Sequence, residues 1–215
     1  MENLIIIGAR GYGRDACDIA KSMSVYGKEF VIKGFLDDKA DALNDYFNYP
    51  PILGSVENYQ LQENDVFICA LGDVNYKKKY ASIILEKGGV FRNIIHPTAV
   101  IGNNTKIGKG CIINAFSFID VDVVISDFVS IQVGVVIGHD TTIGRWSMLD
   151  CHTFTGGFST LGEMVTLHTS ALVVPKVTIG NGATINAGSV VIRDIKENAV
   201  VMGNPAKQMI IPNIK

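Results

Sequence analysis

His139 and Asp140 are adjacent and follow Ile137-Gly138. An imidazole beside a carboxylate is arranged to take a proton, because the anion stabilises the imidazolium that results. Gly157 comes 18 residues later, and a backbone N–H with no side chain beside it is open to the oxyanion of a tetrahedral intermediate. These three residues suit general-base chemistry at a carbonyl carbon. On spacing alone, a solvated corner histidine remains the alternative.

A second group suits phosphate binding. Gly8-Ala9-Arg10-Gly11-Tyr12-Gly13 follows the apolar run Leu4–Ile7 and opens a helix, so backbone N–H groups and the positive helix end face the same point. The spacing is GxxGxG rather than GxGxxG, and a tight turn without a ligand stays open on this segment alone. Asp37-Asp38 follows the next strand, where carboxylates can accept hydrogen bonds from ribose or a base. Residues 1–92 leave room for one mononucleotide half, so a single nucleotide site is expected and NAD is not.

The remaining candidates read as structural. His168 lies 18 residues after Asp150 and 18 before Asn186, which predicts a stacked Asp150–His168–Asn186 ladder. His96, before Pro97, reads as a turn residue, and His152 carries no marked signal. Trp146 is expected at a contact with a neighbouring subunit. Cys17, Cys69, Cys111 and Cys151 are widely spread with no CxxC pair, which predicts free thiols in a reducing cytoplasm and no metal site.

The element that must position His139 is periodic. From Ile101 to Val191, every sixth residue is aliphatic at fifteen of sixteen positions, Thr155 being the exception. Two residues before each stands Ala, Ser, Thr, Cys or Val. One large and one small inward residue per six fits short flat strands separated by corners, three to a coil, so residues 18 apart stack. The Gly, Asn and Asp that often follow the aliphatic position are expected to supply the corner conformations. At a strand spacing of about 4.8 Å, a little over five coils give a prism roughly 25 Å tall. An α-helix or a hairpin sheet would show periods of 3.6 or 2 instead.

Residues 1–92 alternate strand and helix patterns. Strands are expected at Leu4–Ile7, Phe30–Leu36, Val66–Leu71 and Val90–Ile94, with helices near Tyr12–Val25 and Asn75–Lys87. That alternation predicts a small Rossmann-like parallel α/β sheet. The domains expected are 1–92, a junction at 93–98, a β-helix at 99–192 and a cap at 193–215. Composition agrees: 27 Ile and 22 Val against 11 Leu favour β structure. With 19 Lys+Arg against 21 Asp+Glu, no basic face is expected to take nucleic acid. No apolar run is long enough for a bilayer span, and the N-terminus reads as a strand rather than a signal peptide, so a cytoplasmic protein is expected.

The hexapeptide array and the terminal Gly203-Asn204-Pro205-Ala206-Lys207 are similar to the left-handed β-helix acyltransferases, which use acyl-CoA. Gly8–Gly13, Phe35-Leu36-Asp37-Asp38, Ala70-Leu71-Gly72-Asp73, Ile95-His96-Pro97 and Gly138-His139-Asp140 narrow this. Across essentially the whole chain the sequence resembles the NeuD/PglD family of bacterial sugar acetyltransferases. The resemblance implies a homotrimer with active sites between subunits, His139 as catalytic base and Asp140 as the acid that raises its basicity. Acetyl-CoA would lie near Met148, Gly157, Thr169 and Ala187, as co-substrate. A UDP- or dTDP-linked amino sugar would rest on Arg10, Gly11, Tyr12, Asp37, Asp38 and Gly72. The reaction implied is N-acetylation of a 4-amino-4,6-dideoxy sugar in polysaccharide biosynthesis, by direct transfer in a ternary complex. O-acetylation of sialic acid or another sugar, and a non-catalytic nucleotide-binding trimer, are the alternatives. Met148 and Tyr12 stand where the family often has His, which removes a polar contact to the cofactor and bears on substrate identity.

Overall fold

A computed structural model describes residues 1–209. The N-terminal part is a parallel sheet with strands β1 (Glu2–Ile7), β2 (Phe30–Leu36), β3 (Ile52–Gly54), β4 (Asp65–Cys69) and β5 (Val90–Phe91), and helices α1 (Gly11–Ser22) and α2 (Val74–Glu86). The strand order is β3-β2-β1-β4-β5. Leu4–Ile7 and Phe67–Ile68 are shielded from solvent, as expected of central strands in a sheet covered on both sides. Helix α1 turns Ala16, Cys17, Ile19 and Ala20 onto the sheet. Helix α2 begins at Asp73, whose carboxylate accepts the Asn75 and Tyr76 N–H groups at 2.8 and 3.0 Å and satisfies two free donors of its first turn.

Two differences from the sequence reading are local. The three-residue β3 is too short to carry a period. The run Val90–Ile94 is not one strand: Val90–Phe91 joins β4, whereas Ile94–Ile95 pairs with Ile112–Ile113 and starts the β-helix. The four cysteines are free, as expected.

From Ile94 onward the chain is a left-handed β-helix of two-residue strands. Its first face stacks Ile94–Ile95, Ile112–Ile113, Ser130–Ile131, Met148–Leu149, Thr166–Leu167 and Thr184–Ile185, then Val200–Met202. The second stacks Val100–Ile101, Phe118–Ile119, Val136–Ile137, Phe154–Thr155, Leu172–Val173 and Val190–Val191. The third runs from Lys106–Ile107 to Thr178–Ile179. Pairing is parallel between residues 18 apart, such as Ile119 with Ile137 and Ile137 with Thr155. The large inward residues Ile113, Ile119, Ile131, Ile137, Ile143 and Leu149 form one dry column with the small inward series beside them. The large series is interrupted once, at Thr155, whose hydroxyl is buried at a cost with no hydrogen-bond partner, as is that of Thr153 in the small series beside it. Val200–Met202 pairs antiparallel with Lys207–Gln208 at the open end, while residues 210–215 of the expected cap lie outside the described residues.

The corners depart from expectation in an instructive way. The left-handed backbone conformation falls three residues after the aliphatic position, on Asp122, Phe128, Asp140, Trp146, His152 and Phe158 among others. The glycines directly after the aliphatic position are required for closeness instead. A Cβ on Gly138 would lie 2.6 Å from Gly157 N, and one on Gly144 would lie 2.4 Å from Gly162 backbone. Successive coils therefore touch there backbone to backbone.

The two parts share a packed boundary. Phe128 stacks on Trp146 at 4.1 Å and takes Phe91 edge-on at 4.9 Å. Trp146 is thus buried against the N-terminal domain of its own chain rather than offered to a neighbour, because its corner lies under α2 and β5.

Candidate active site

The strand order places β1 between β2 and β4, so the chain leaves β1 toward one side and returns from the other. At the C-terminal ends of β1, β2 and β4 the loops part and leave a crevice, the place where open α/β sheets bind ligands. A cleft of about 690 Å³ lies there, with Arg10, Tyr12, Asp37, Asp38 and Gly72 in its wall. Gly11 is not in that wall. It lines a second, shallower cleft of about 370 Å³ with Tyr12, Asp15, Gly72, Gln132, Met148, Asp150 and Thr169. Tyr12 and Gly72 border both, so the two clefts are neighbours.

The two acidic residues after β2 have different work. Asp37 accepts the Ala9 N–H at 2.9 Å through one oxygen and the Lys39 N–H at 3.0 Å through the other, and so clamps the glycine-rich turn. Asp38 accepts the Tyr80 hydroxyl at 2.7 Å, and that bond pushes the Tyr80 phenol up to about 12. Tyr80 in turn stacks on Tyr76, which is exposed to the cleft. Neither tyrosine was singled out from the sequence. Their signal is an i, i+4 aromatic pair on the first turns of a helix that starts at a strand end. In the second cleft, Asp15 accepts from Asn114 Nδ2 at 2.6 Å, and burial raises its carboxyl above the usual range. The Tyr12 hydroxyl is buried near Ser130, and burial raises its phenol well above the usual range.

His139 stands elsewhere, at the edge between the second and third faces. Its Nδ1–H donates to Asp140 Oδ2 at 2.8 Å, which leaves Nε2 as the free acceptor. Both side chains are nearly half exposed, at 48% and 43%. The left-handed backbone at Asp140 turns its carboxylate back onto the ring. Gly157 stacks against the imidazole: a Cβ there would lie 2.9 Å from Cε1 and Nε2. Phe158 sets its ring edge-on at 5.0 Å. Among the described residues, the Gly157 N–H donates to no protein acceptor.

The chain therefore gathers the expected site residues into two places. Gly157 joins His139 and Asp140. Thr169 and Ala187 stack on the opposite edge of the second face, where Gly188 N bonds Thr169 O at 3.0 Å, and Met148 lies on the adjoining first face. The Asp150–His168 contact of the predicted ladder is present at 2.9 Å, but Asn186 turns away to Met209 Sδ because the last strand returns beside it. His96 bonds Thr98 within its turn, as read. Lys77 was missed altogether. It is 1% exposed in α2 and donates to Phe128 O, Ser130 Oγ and Ser147 O at 3.2, 3.0 and 3.2 Å, and burial lowers its ammonium to about 8. A lysine on a helix otherwise rich in exposed lysines gives no pattern that marks it as buried.

Among the described residues, no group of three or more His, Cys, Asp or Glu is placed to hold a metal ion, and no helix is long and apolar enough to cross a membrane.

Residues 3–84 match the family model of the PglD N-terminal domain. The whole chain is similar to PerB from Caulobacter crescentus, solved with CoA and GDP-perosamine, at 26% identity and a TM-score of 0.87 over 97% of this chain and 98% of that one. It is equally similar to the acetyltransferase domain of PglB from Neisseria gonorrhoeae, at 26% identity and a TM-score of 0.88 over 97% and 100%. WeeI from Acinetobacter baumannii shares the fold at 20% identity, with a TM-score of 0.85 over 97% and 100%. Residues 3–84 thus match a PglD N-terminal domain, and the chain runs on from it into a left-handed β-helix, the fold it shares with these structures.

Proposed function

We propose that the chain is an acetyl-CoA-dependent N-acetyltransferase acting on the 4-amino group of a nucleotide-linked 4-amino-4,6-dideoxy sugar. The observation that carries this is the His139–Asp140 pair with Gly157 against its ring, on a fold shared with PerB and PglB. PerB holds CoA and GDP-perosamine, and the PglB domain has been solved with acetyl coenzyme A. The UDP- or dTDP-linked sugars expected from the sequence and a GDP-linked sugar are the acceptor classes to compare.

In this reading the nucleotide rests in the larger cleft, its phosphates toward Arg10 and the α1 N-terminus. The sugar extends past Tyr12 and Gly72 toward the second cleft, and the acyl donor lies along Met148, Thr169 and Ala187. His139 Nε2 accepts the proton of the sugar amine as nitrogen attacks the thioester carbonyl. The Gly157 N–H faces the oxyanion. The C–S bond then breaks, and the CoA thiolate leaves and takes up a proton. General-base help of this kind is worth ~10²–10⁴-fold.

That route needs His139 beside a cleft that its own chain keeps on another edge, and the second face supplies the means. Its outward row is Val100, Phe118, Val136, Phe154, Leu172 and Val190, with Val100, Phe118 and Phe154 at 53, 43 and 39% exposure. An apolar strip of this length suits burial between copies. The same face is bounded by the His139 edge on one side and the Thr169–Ala187 edge on the other. A closed ring of three parallel prisms, the assembly that the resemblance implies, sets one chain's His139 edge against its neighbour's Met148–Thr169 edge.

The test is thiol release from acetyl-CoA with UDP-, dTDP- and GDP-linked 4-amino sugars and with free and CMP-linked sialic acid, using His139→Ala as control. Release with an amino-sugar nucleotide, lost in the variant, is expected. Release with sialic acid alone would establish O-acetylation, and silence with every acceptor would make the prism a binding scaffold.

A further inference from the structure

Lys77 is a buried charged group that the proposed reaction does not use, and it lacks the ion partner that Lys33 gives buried Asp65. Its three N–H donors are all spent, on Phe128 O, Ser130 Oγ and Ser147 O, across 51, 53 and 70 residues of sequence. Among the described residues no carboxylate bonds to it, and the ammonium is held by neutral acceptors from two successive coils of the β-helix. An ammonium so enclosed is costly, and a methionine of similar shape would fill the space without that cost. Stability is therefore a poor reason for its presence, and position is a better one.

The atoms around Lys77 adjoin both clefts. On its own helix, Tyr76 precedes it and Tyr80 follows by one turn, and both line the larger cleft. On the β-helix side, Ser147 immediately precedes Met148 of the second cleft, and Ser130 lies two residues before Gln132 of that cleft. Around it the two parts meet through the rings of Phe91, Phe128 and Trp146, which can slide with little loss, while the Asn114–Asp15 hydrogen bond ties α1 rather than α2 to the β-helix. Hydrogen bonds from one ammonium to three fixed acceptors cannot slide, because each has a narrow range of length and angle.

We propose that Lys77 is a positioning residue of the transfer reaction: it pins α2, and with it a wall of the nucleotide cleft, to the two coils that carry Ser130 and Met148. It thereby sets the span between the held nucleotide and the acyl donor. The inference rests on the proposed N-acetyltransferase reading for its kinetic consequence, though the pin itself does not.

The experiment compares the full-length wild type with Lys77→Met and Ser130→Ala. The larger cleft lies wholly within the N-terminal domain, so UDP and GDP affinity by calorimetry is expected to stay within about threefold. Turnover of the amino-sugar nucleotide is expected to fall about tenfold to a hundredfold in Lys77→Met, the scale of a displacement near 1 Å between reacting groups. Ser130→Ala, which removes one acceptor, should move the same way by less, and it carries the test if Lys77→Met fails to fold. Hydrogen exchange reads the pin without any substrate: α2 and residues 128–130 and 145–148 should lose protection while the distal coils keep theirs. Wild-type turnover and wild-type exchange in both variants would overturn the proposal. So would nucleotide affinity that falls in step with turnover, since Lys77 would then support the cleft itself. Absence of transfer in the wild type, with the exchange pattern as expected, would remove the reaction and leave the pin.

Discussion

The β-helix and the N-terminal domain position functional residues by different means. In the β-helix, place follows from register. A residue's position modulo 18 gives its face or edge, and its coil gives its height, so His139 and Gly157 meet because they are one coil apart. In the N-terminal domain, place follows from loops that leave separate strands and converge at a crevice. Asp37 reaches Ala9 across 28 residues, and Tyr80 reaches Asp38 across 42. The first arrangement is rigid and tolerates little side-chain volume. The second is built from single hydrogen bonds, each of which can be removed alone.

The most damaging single change should be His139→Ala. A drop of ~10²–10⁴-fold in acetyl transfer is expected, with the oligomer intact by size-exclusion chromatography. Gly157→Ala tests the volume limit of the β-helix. Its Cβ would press on the imidazole at 2.9 Å, and a loss of about tenfold to a hundredfold in turnover is expected with little change in melting temperature. Asp37→Ala tests the loop side. It frees the Ala9 N–H of the glycine-rich turn and the Lys39 N–H of Asp37's own loop, and KM for the nucleotide sugar should rise about tenfold with kcat less affected. A change confined to kcat would show that the turn does not hold the nucleotide.

A smaller effect is expected from Lys77 and pH. Its ammonium is lowered to about 8 by burial, among Cys69, Cys111 and Asp150, from an ordinary value of 10.5. Between these values the unfolded chain holds a proton that the folded chain has released, so stability from this group rises with pH. Wild type should gain on Lys77→Met in denaturant midpoint between about pH 8 and pH 10.5; a constant difference would contradict the assignment. The smallest effect is expected at Thr155→Val. Replacing a buried, unpartnered hydroxyl by a methyl should stabilise by about 1 kcal/mol and leave turnover unchanged.

The same contrast explains what could be read from the sequence. Period six, with Ile113, Ile119 and Ile131 in step, states the β-helix outright, and 18-residue spacing pairs His139 with Gly157 and Asp150 with His168. It fails where the period gives no cue. The left-handed corners sit on Phe128, Trp146 and Phe158, residues with no such preference, because stacking of coils imposes the turn. Asn186 and Trp146 were misplaced because their neighbours come from the returning tail and from α2, outside the repeat. In the N-terminal domain the glycine turn and the acidic pair were legible as local signals. Tyr76, Tyr80 and Lys77 were not, since their partners are distant in sequence. Nor does one chain's sequence show that its His139 edge and its clefts lie on different edges of the prism; that requires the coil order in space.

The central claim is that each active site takes His139 from one chain and the clefts from another. Co-expression of two inactive variants tests it most directly: His139→Ala, and Thr169→Trp, which fills the second cleft at an exposed position. In randomly mixed rings, about a quarter of the sites would combine an intact His139 with an intact neighbouring cleft. Acetyl transfer in the mixture near that fraction of wild type, with each variant alone inactive, is the result expected. A mixture as inactive as its components would contradict the account, because every site would then lie within one chain.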